Sequence, residues 1–123
     1  MWKLEKKYQC EVSNQGYDFL SDTSSDKGGS GEGIRPHELL EAALASCINI
    51  IIRMTLDKLK ISVHHIRVTV HLDRTITGKT IFHYQYDIDT ELNQKEKIIL
   101  EDAIHHCPVK KTLLNKIEFQ SMG

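Results

Sequence analysis

Cysteine is scarce in this chain, and the company it lacks narrows the chemistry. The 123 residues hold three cysteines, Cys10, Cys47 and Cys107, and no Cys-x-x-Cys pair. An odd count of this kind argues against a disulfide framework in a reducing compartment. Seven histidines include no His-x-x-x-His pair, so His105, His106 and Cys107 sit together without the spacing of a closed zinc site. No metal and no other cofactor is expected. Neither sign of charge accumulates: 16 basic and 17 acidic residues leave a net charge of −1, with no long run of either. That excludes the signature of a nucleic-acid surface or a polybasic membrane anchor. Residues 1–7, Met-Trp-Lys-Leu-Glu-Lys-Lys, contain no apolar core of a signal peptide. The longest apolar stretches are interrupted by Ser46, Asn49 and Arg53, which predicts no spanning helix, no membrane partner and a cytoplasmic protein. Proline occurs twice, at Pro36 and Pro108, and each reads as the opening of a helical turn.

What is present reads as one domain, 1–123, of the α+β class. Residues 2–12 alternate, with Trp2, Leu4, Tyr8, Cys10 and Val12 on one face, and only Lys6 spoils that side. With Asn14-Gln15-Gly16 as a turn, residues 1–20 are expected to form an N-terminal hairpin, Cys10 facing the core. Residues 21–35 are rich in Ser, Asp and Gly. Their Gly28-Gly29-Ser30-Gly31-Glu32-Gly33 run lacks the Lys-Ser/Thr ending and preceding apolar strand of a phosphate loop, so a mobile surface loop is expected. A central helix is expected over 36–60, roughly 36 Å long. Between Leu39 and Met54 its only polar side chains are Glu41, Ser46, Asn49 and Arg53, the last three within about 60° of one another. A small monomer cannot cover such a circumference, which predicts a homodimer with this helix at its centre. Residues 62–92 hold a second hairpin, with Ile66, Val68, Val70 and Leu72 facing Phe82, Tyr84, Tyr86 and Ile88 across Thr77-Gly78-Lys79. Residues 93–123 open with an Asn93/Glu96 capping box, continue through a helix to the Cys107-Pro108 break, and end with Ile117 and Phe119 in a short closing strand.

Cys47 lies inside the central helix and Cys107 at a helix break. Two such thiols are what a redox centre needs, one attacking an oxidant and the other closing a disulfide on the sulfenic acid. Two buried core cysteines are the alternative on spacing alone. Pro36-x-Glu38-Leu39-Leu40-x-Ala42-Ala43-Leu44-Ala45-Ser46-Cys47, followed by Cys107-Pro108-Val109, resembles the OsmC/Ohr family of osmotically inducible and organic-hydroperoxide-resistance proteins. The element order resembles that family over essentially the whole chain. The resemblance implies an antiparallel sheet wrapped on a long central helix, an intertwined homodimer, and two sites at the subunit interface. It also implies reduction of organic hydroperoxides, with Cys47 attacking, Cys107 resolving and an external thiol reductant recycling the pair.

The match is to the broader OsmC-like branch. Where the peroxidase branch carries Glu directly after the helix-opening proline, this chain has His37, with Glu38 one place later, and no Arg occurs between Met1 and Ile34. The helical neighbours of Cys47 at three and four residues are Ala43, Leu44, Ile50 and Ile51. Such surroundings raise a thiol pKa, whereas a peroxidatic thiol needs it lowered. His37 is ten residues back, about 15 Å along an unbroken helix. Activation must therefore come through Arg35, His37, Glu38, His105 or His106 by way of a bend, another element or the second subunit. Cys107 is itself placed to cap the turn that Pro108 opens.

Overall fold

The computed structural model describes residues 2–3, 8–14 and 16–123, excepting the side chains of residues 2, 3, 10 and 12–14. The expected inward orientation of Cys10 lies outside the described residues. The chain divides into two compact units, Met1–Glu41 and Ala42–Gly123.

In the first unit three strands form an antiparallel sheet in the order β1 (Trp2–Lys3), β2 (Cys10–Asn14), β3 (Tyr17–Ser21). The continuous strand expected over residues 2–12 is instead folded back on itself. Trp2 pairs with Glu11, and Tyr8 just before β2 takes a left-handed φ of 70°. The β2–β3 turn falls where expected: Asn14 pairs with Tyr17, and Gly16 supplies the φ of 89° that a two-residue connection needs.

Residues 22–35 are organised rather than featureless. Asp22 is buried and accepts from the amides of Thr23 at 2.7 Å and Ser30 at 3.0 Å, and from the Ser30 hydroxyl. Ser30 in turn accepts from Gln9 Nε2 at 2.8 Å. These bonds, the Ser30 hydroxyl first, hold the Asp22 carboxyl below the usual range against the effect of burial. Gly29 is required by packing, since a Cβ there would stand 2.3 Å from the Thr23 carbonyl. The expectation of a mobile loop missed this because the hub acts across eight residues of sequence.

Helix α1 spans Pro36–Lys58 and continues into the second unit. It stops two residues short of expectation at a hydrogen-bonded cap: the Ile61 amide donates to Leu56, the Lys60 amide to Asp57, and Lys60 adopts φ 58°. By length and composition alone α1 is apolar enough to cross a membrane. Ser46, Asn49 and Arg53 do not make it too short, which corrects the expectation drawn from those residues. The core helix of a soluble protein passes the same test.

The second unit's core is built on one row of α1. Leu44, Ile48, Ile52 and Leu56, spaced by four, are buried together with Leu100, Ile104 and Cys107. Each aliphatic side chain so buried contributes about 1.5–3 kcal/mol. The hairpin β4 (Ile66–Asp73) and β5 (Ile81–Ile88) lays Ile66, Val68, Val70, Phe82, Tyr86 and Ile88 against this cluster. It forms a sheet of its own, separate from β1–β3. Asn49 Nδ2 ties α1 to β4 through the Ile66 carbonyl at 3.3 Å.

Helix α2 (Gln94–His105) opens with the expected box, Asn93 Oδ1 accepting from the Glu96 amide and Glu96 Oε1 from the Asn93 amide. Helix α3 (Pro108–Leu114) follows with proline at its first position. The expected closing strand is not formed. Residues 115–123 carry no strand, and Phe119 is 94% exposed; an alternating segment becomes a strand only when it pairs with another.

Candidate active site

The α2–α3 corner places the second sulfur. Residue 107 precedes proline and so leaves the helical region, at φ −56° and ψ 125°. Its amide still donates to the Ile104 carbonyl at 3.1 Å, and its carbonyl accepts from Lys111 at 3.0 Å. Pinned on both sides, the Cys107 side chain turns inward and is fully buried. Cys47, in the middle of α1, is only partly covered.

The two sulfurs meet. Cys107 Sγ lies 2.9 Å from Cys47 Sγ across 60 residues of sequence, and both thiols are free. That separation is about 0.9 Å more than a disulfide bond.

Electrostatics at Cys47 oppose ionisation. Burial, first, and then the neighbouring Cys107 thiol push the Cys47 thiol above its ordinary value. One contribution works the other way: a backbone hydrogen bond from Val109, in the first turn of α3, favours the Cys47 thiolate. Cys107 occupies the cap position of α3 but makes no side-chain cap bond. The helix-end amide expected to serve Cys107 is thus directed at Cys47. Sequence reasoning missed Val109 because a backbone amide leaves no side-chain mark. Pro108 as a helix opener was the available signal, since the amides just after it have no intrahelical acceptor.

The other candidates are accounted for separately. Arg35 and Glu38 pair with each other in the first unit: Glu38 Oε1 accepts from the Arg35 amide at 2.9 Å and from its Nε at 3.1 Å. These bonds, the guanidinium first, lower the Glu38 carboxyl. His37 is exposed on the first turn of α1. His106 Nδ1 lies 2.8 Å from the Asp102 carbonyl, and His105 Nδ1 lies 3.2 Å from Lys110 Nζ. Both rings are engaged at the corner's outer side. Among the described residues no group of three or more His, Cys, Asp or Glu could hold a metal ion.

Around Cys47, α1 presents a second apolar stripe. Leu40, Ile50 and Met54 are exposed, Ile50 by 56% and Met54 by 57%, and Ala43 lies between them. With Cys47 these positions follow the three-and-four spacing of a helix-packing seam.

Comparison with known proteins adds the following. A family model described as OsmC-like protein matches residues 29–122. Nothing matches among curated proteins. Among solved structures, the chain is similar to a proposed osmotic stress induced and detoxification response protein from Psychrobacter arcticus, at 20% identity and TM-score 0.70 over 91% of each chain. It is also similar to an organic hydroperoxide resistance protein OsmC, a predicted redox protein from Legionella pneumophila, at 23% identity and TM-score 0.55 over 87% of this chain and 89% of that one. An organic hydroperoxide resistance protein from Elizabethkingia anophelis matches at 17% identity and TM-score 0.61, over 96% and 94%. These likenesses establish the α+β fold.

Proposed function

The chain belongs to the OsmC-like protein family, and from that premise we propose that it is a thiol-dependent peroxidase for organic hydroperoxides. The Cys47 thiolate attacks the outer peroxide oxygen; the O–O bond breaks, the alcohol leaves after protonation, and Cys47 becomes a sulfenic acid. The Cys107 thiolate then displaces hydroxide, which leaves as water, and the Cys47–Cys107 disulfide forms. An external dithiol returns both sulfurs to thiols and carries away the two electrons' worth of oxidation. The observation that carries this reading is the 2.9 Å sulfur–sulfur approach between a partly open and a fully buried thiol.

The working unit in this reading is a cytoplasmic homodimer, with the Leu40–Ala43–Ile50–Met54 stripe covered by a second copy. That cover completes an apolar wall beside Cys47 and favours an alkyl peroxide over hydrogen peroxide, at about 25 cal/mol per Å² buried. Arg35, His37 and Glu38 are assigned to activation of Cys47 across the dimer, with Glu38 holding the guanidinium. Thiol loss on titration with cumene hydroperoxide against hydrogen peroxide tests the proposal. The expected result is stoichiometric loss at lower organic peroxide concentration, with Cys107→Ser stalling as a sulfenic acid at Cys47.

One observation favours a second reading. The raised Cys47 thiol suits an OsmC-like protein that binds a small apolar ligand, or senses redox state, without useful turnover. A single slow oxidation that no thiol reductant renews would select it.

A further inference from the structure

The α2–α3 corner supplies both the Cys107 sulfur and the Val109 amide, so whatever fixes this corner fixes the dithiol. Its backbone bonds run along the chain, from Cys107 to Ile104 and from Lys111 to Cys107. A side-chain contact spans it from outside. Lys110, half-buried in the first turns of α3, reaches back across Cys107 to His105 Nδ1 at 3.2 Å, in the last turn of α2. An ammonium only donates, so His105 accepts at Nδ1 and carries its proton on Nε2. The same Nζ stands 6.0 Å over the ring of Tyr84 on β5. Ile104 and Cys107 anchor the inner side of the corner in the core, whereas on the outer side His105 borders a cavity of about 310 Å³, lined besides by Tyr84, Tyr86, Glu101 and Ile104.

Resting on the dithiol reading above, we propose that Lys110 is a positioning residue: by clasping His105 and Tyr84 it holds the α2–α3 corner so that Cys107 and the Val109 amide both face Cys47. Lys110 acts through His105 and Tyr84 and takes no part in the thiol exchange. Its action is to fix a geometry in which about 1 Å decides between hydrogen bond and covalent bond.

The test uses glutathione disulfide as oxidant, with Lys110→Met and Lys110→Arg beside the wild type. The Cys47 thiolate attacks one glutathione sulfur and releases one glutathione. Cys107 then attacks the mixed disulfide and releases the second, so two protein thiols are oxidised as one disulfide is reduced. Lys110→Met should lower the equilibrium constant for closing Cys47–Cys107 by roughly 2- to 5-fold, the scale of an exposed polar pair. Its Cys47 alkylation profile should shift to higher pH, because the Val109 amide is no longer held in place. Lys110→Arg, which can still donate to Nδ1, should restore both. An unchanged constant together with a superimposable alkylation profile in Lys110→Met would overturn the proposal, as would equal losses in Met and Arg variants. Because no peroxide is used, a protein that closes the disulfide but consumes no hydroperoxide would refute the peroxidase and leave the clasp standing.

Discussion

Two stripes of α1 have nearly the same composition and different fates. Leu44, Ile48, Ile52 and Leu56 are buried under α2 and the β4–β5 hairpin, whereas Leu40, Ile50 and Met54 stand exposed. Cys47 lies at the margin, packed against the first stripe and aligned with the second. Apolar content alone therefore does not define a core. What the chain finishes by itself is a row spaced by four, and the seam it leaves open runs past the sulfur that does the proposed chemistry.

The largest effect is expected in the finished stripe. Ile52 is fully buried, and Ile52→Ala should cost about 2–5 kcal/mol through lost transfer and a cavity. Urea unfolding measures it, and a cost under 1 kcal/mol would mean the row is not the core. The open stripe answers differently. Ile50→Asp should leave the fold intact but turn a dimer into a monomer in sedimentation, because a carboxylate cannot be buried unpaired in an apolar seam. A variant that stayed dimeric would place the interface elsewhere.

Between the stripes, the pH response of Cys47 is a finer probe. Burial and Cys107 raise its thiol, so the thiolate fraction should still be climbing where a free thiol, at about 8.5, is half ionised. Alkylation at Cys47 should accelerate from neutral into alkaline pH. A plateau already reached near neutrality would show that the Val109 amide outweighs burial. The smallest effect belongs to the end of α1. Lys60 sits at φ 58°, a conformation that costs a side chain about 1–2 kcal/mol and glycine almost nothing. Lys60→Gly should stabilise by up to about 1 kcal/mol in thermal unfolding, and destabilisation would mean its side chain has a role of its own.

Much of this was legible in the sequence. Pro36, the apolar run from Leu39 to Met54, the alternation in 66–72 and 82–88 and the Asn93/Glu96 box each placed an element within two residues of its observed ends, because each is a local signal. The two cysteines were legible as a pair through family resemblance, and their approach is a property of the fold. Hidden were the features that depend on distance or on backbone. Periodicity drew the apolar circumference of α1 without saying which side packs. The Asp22 hub joins Thr23, Ser30 and, through Ser30, Gln9, which no short window contains. Ile117 and Phe119 carry strand character, yet residues 115–123 pair with no strand, because alternation marks a possible strand without naming a partner for it.

The central claim is that Cys47 and Cys107 are a working redox pair. Peptide mapping after treatment with excess cumene hydroperoxide tests it most directly. An intrachain Cys47–Cys107 disulfide, formed in step with loss of both thiols and reversed by a dithiol, is the result predicted. Free thiols recovered at both positions would contradict it.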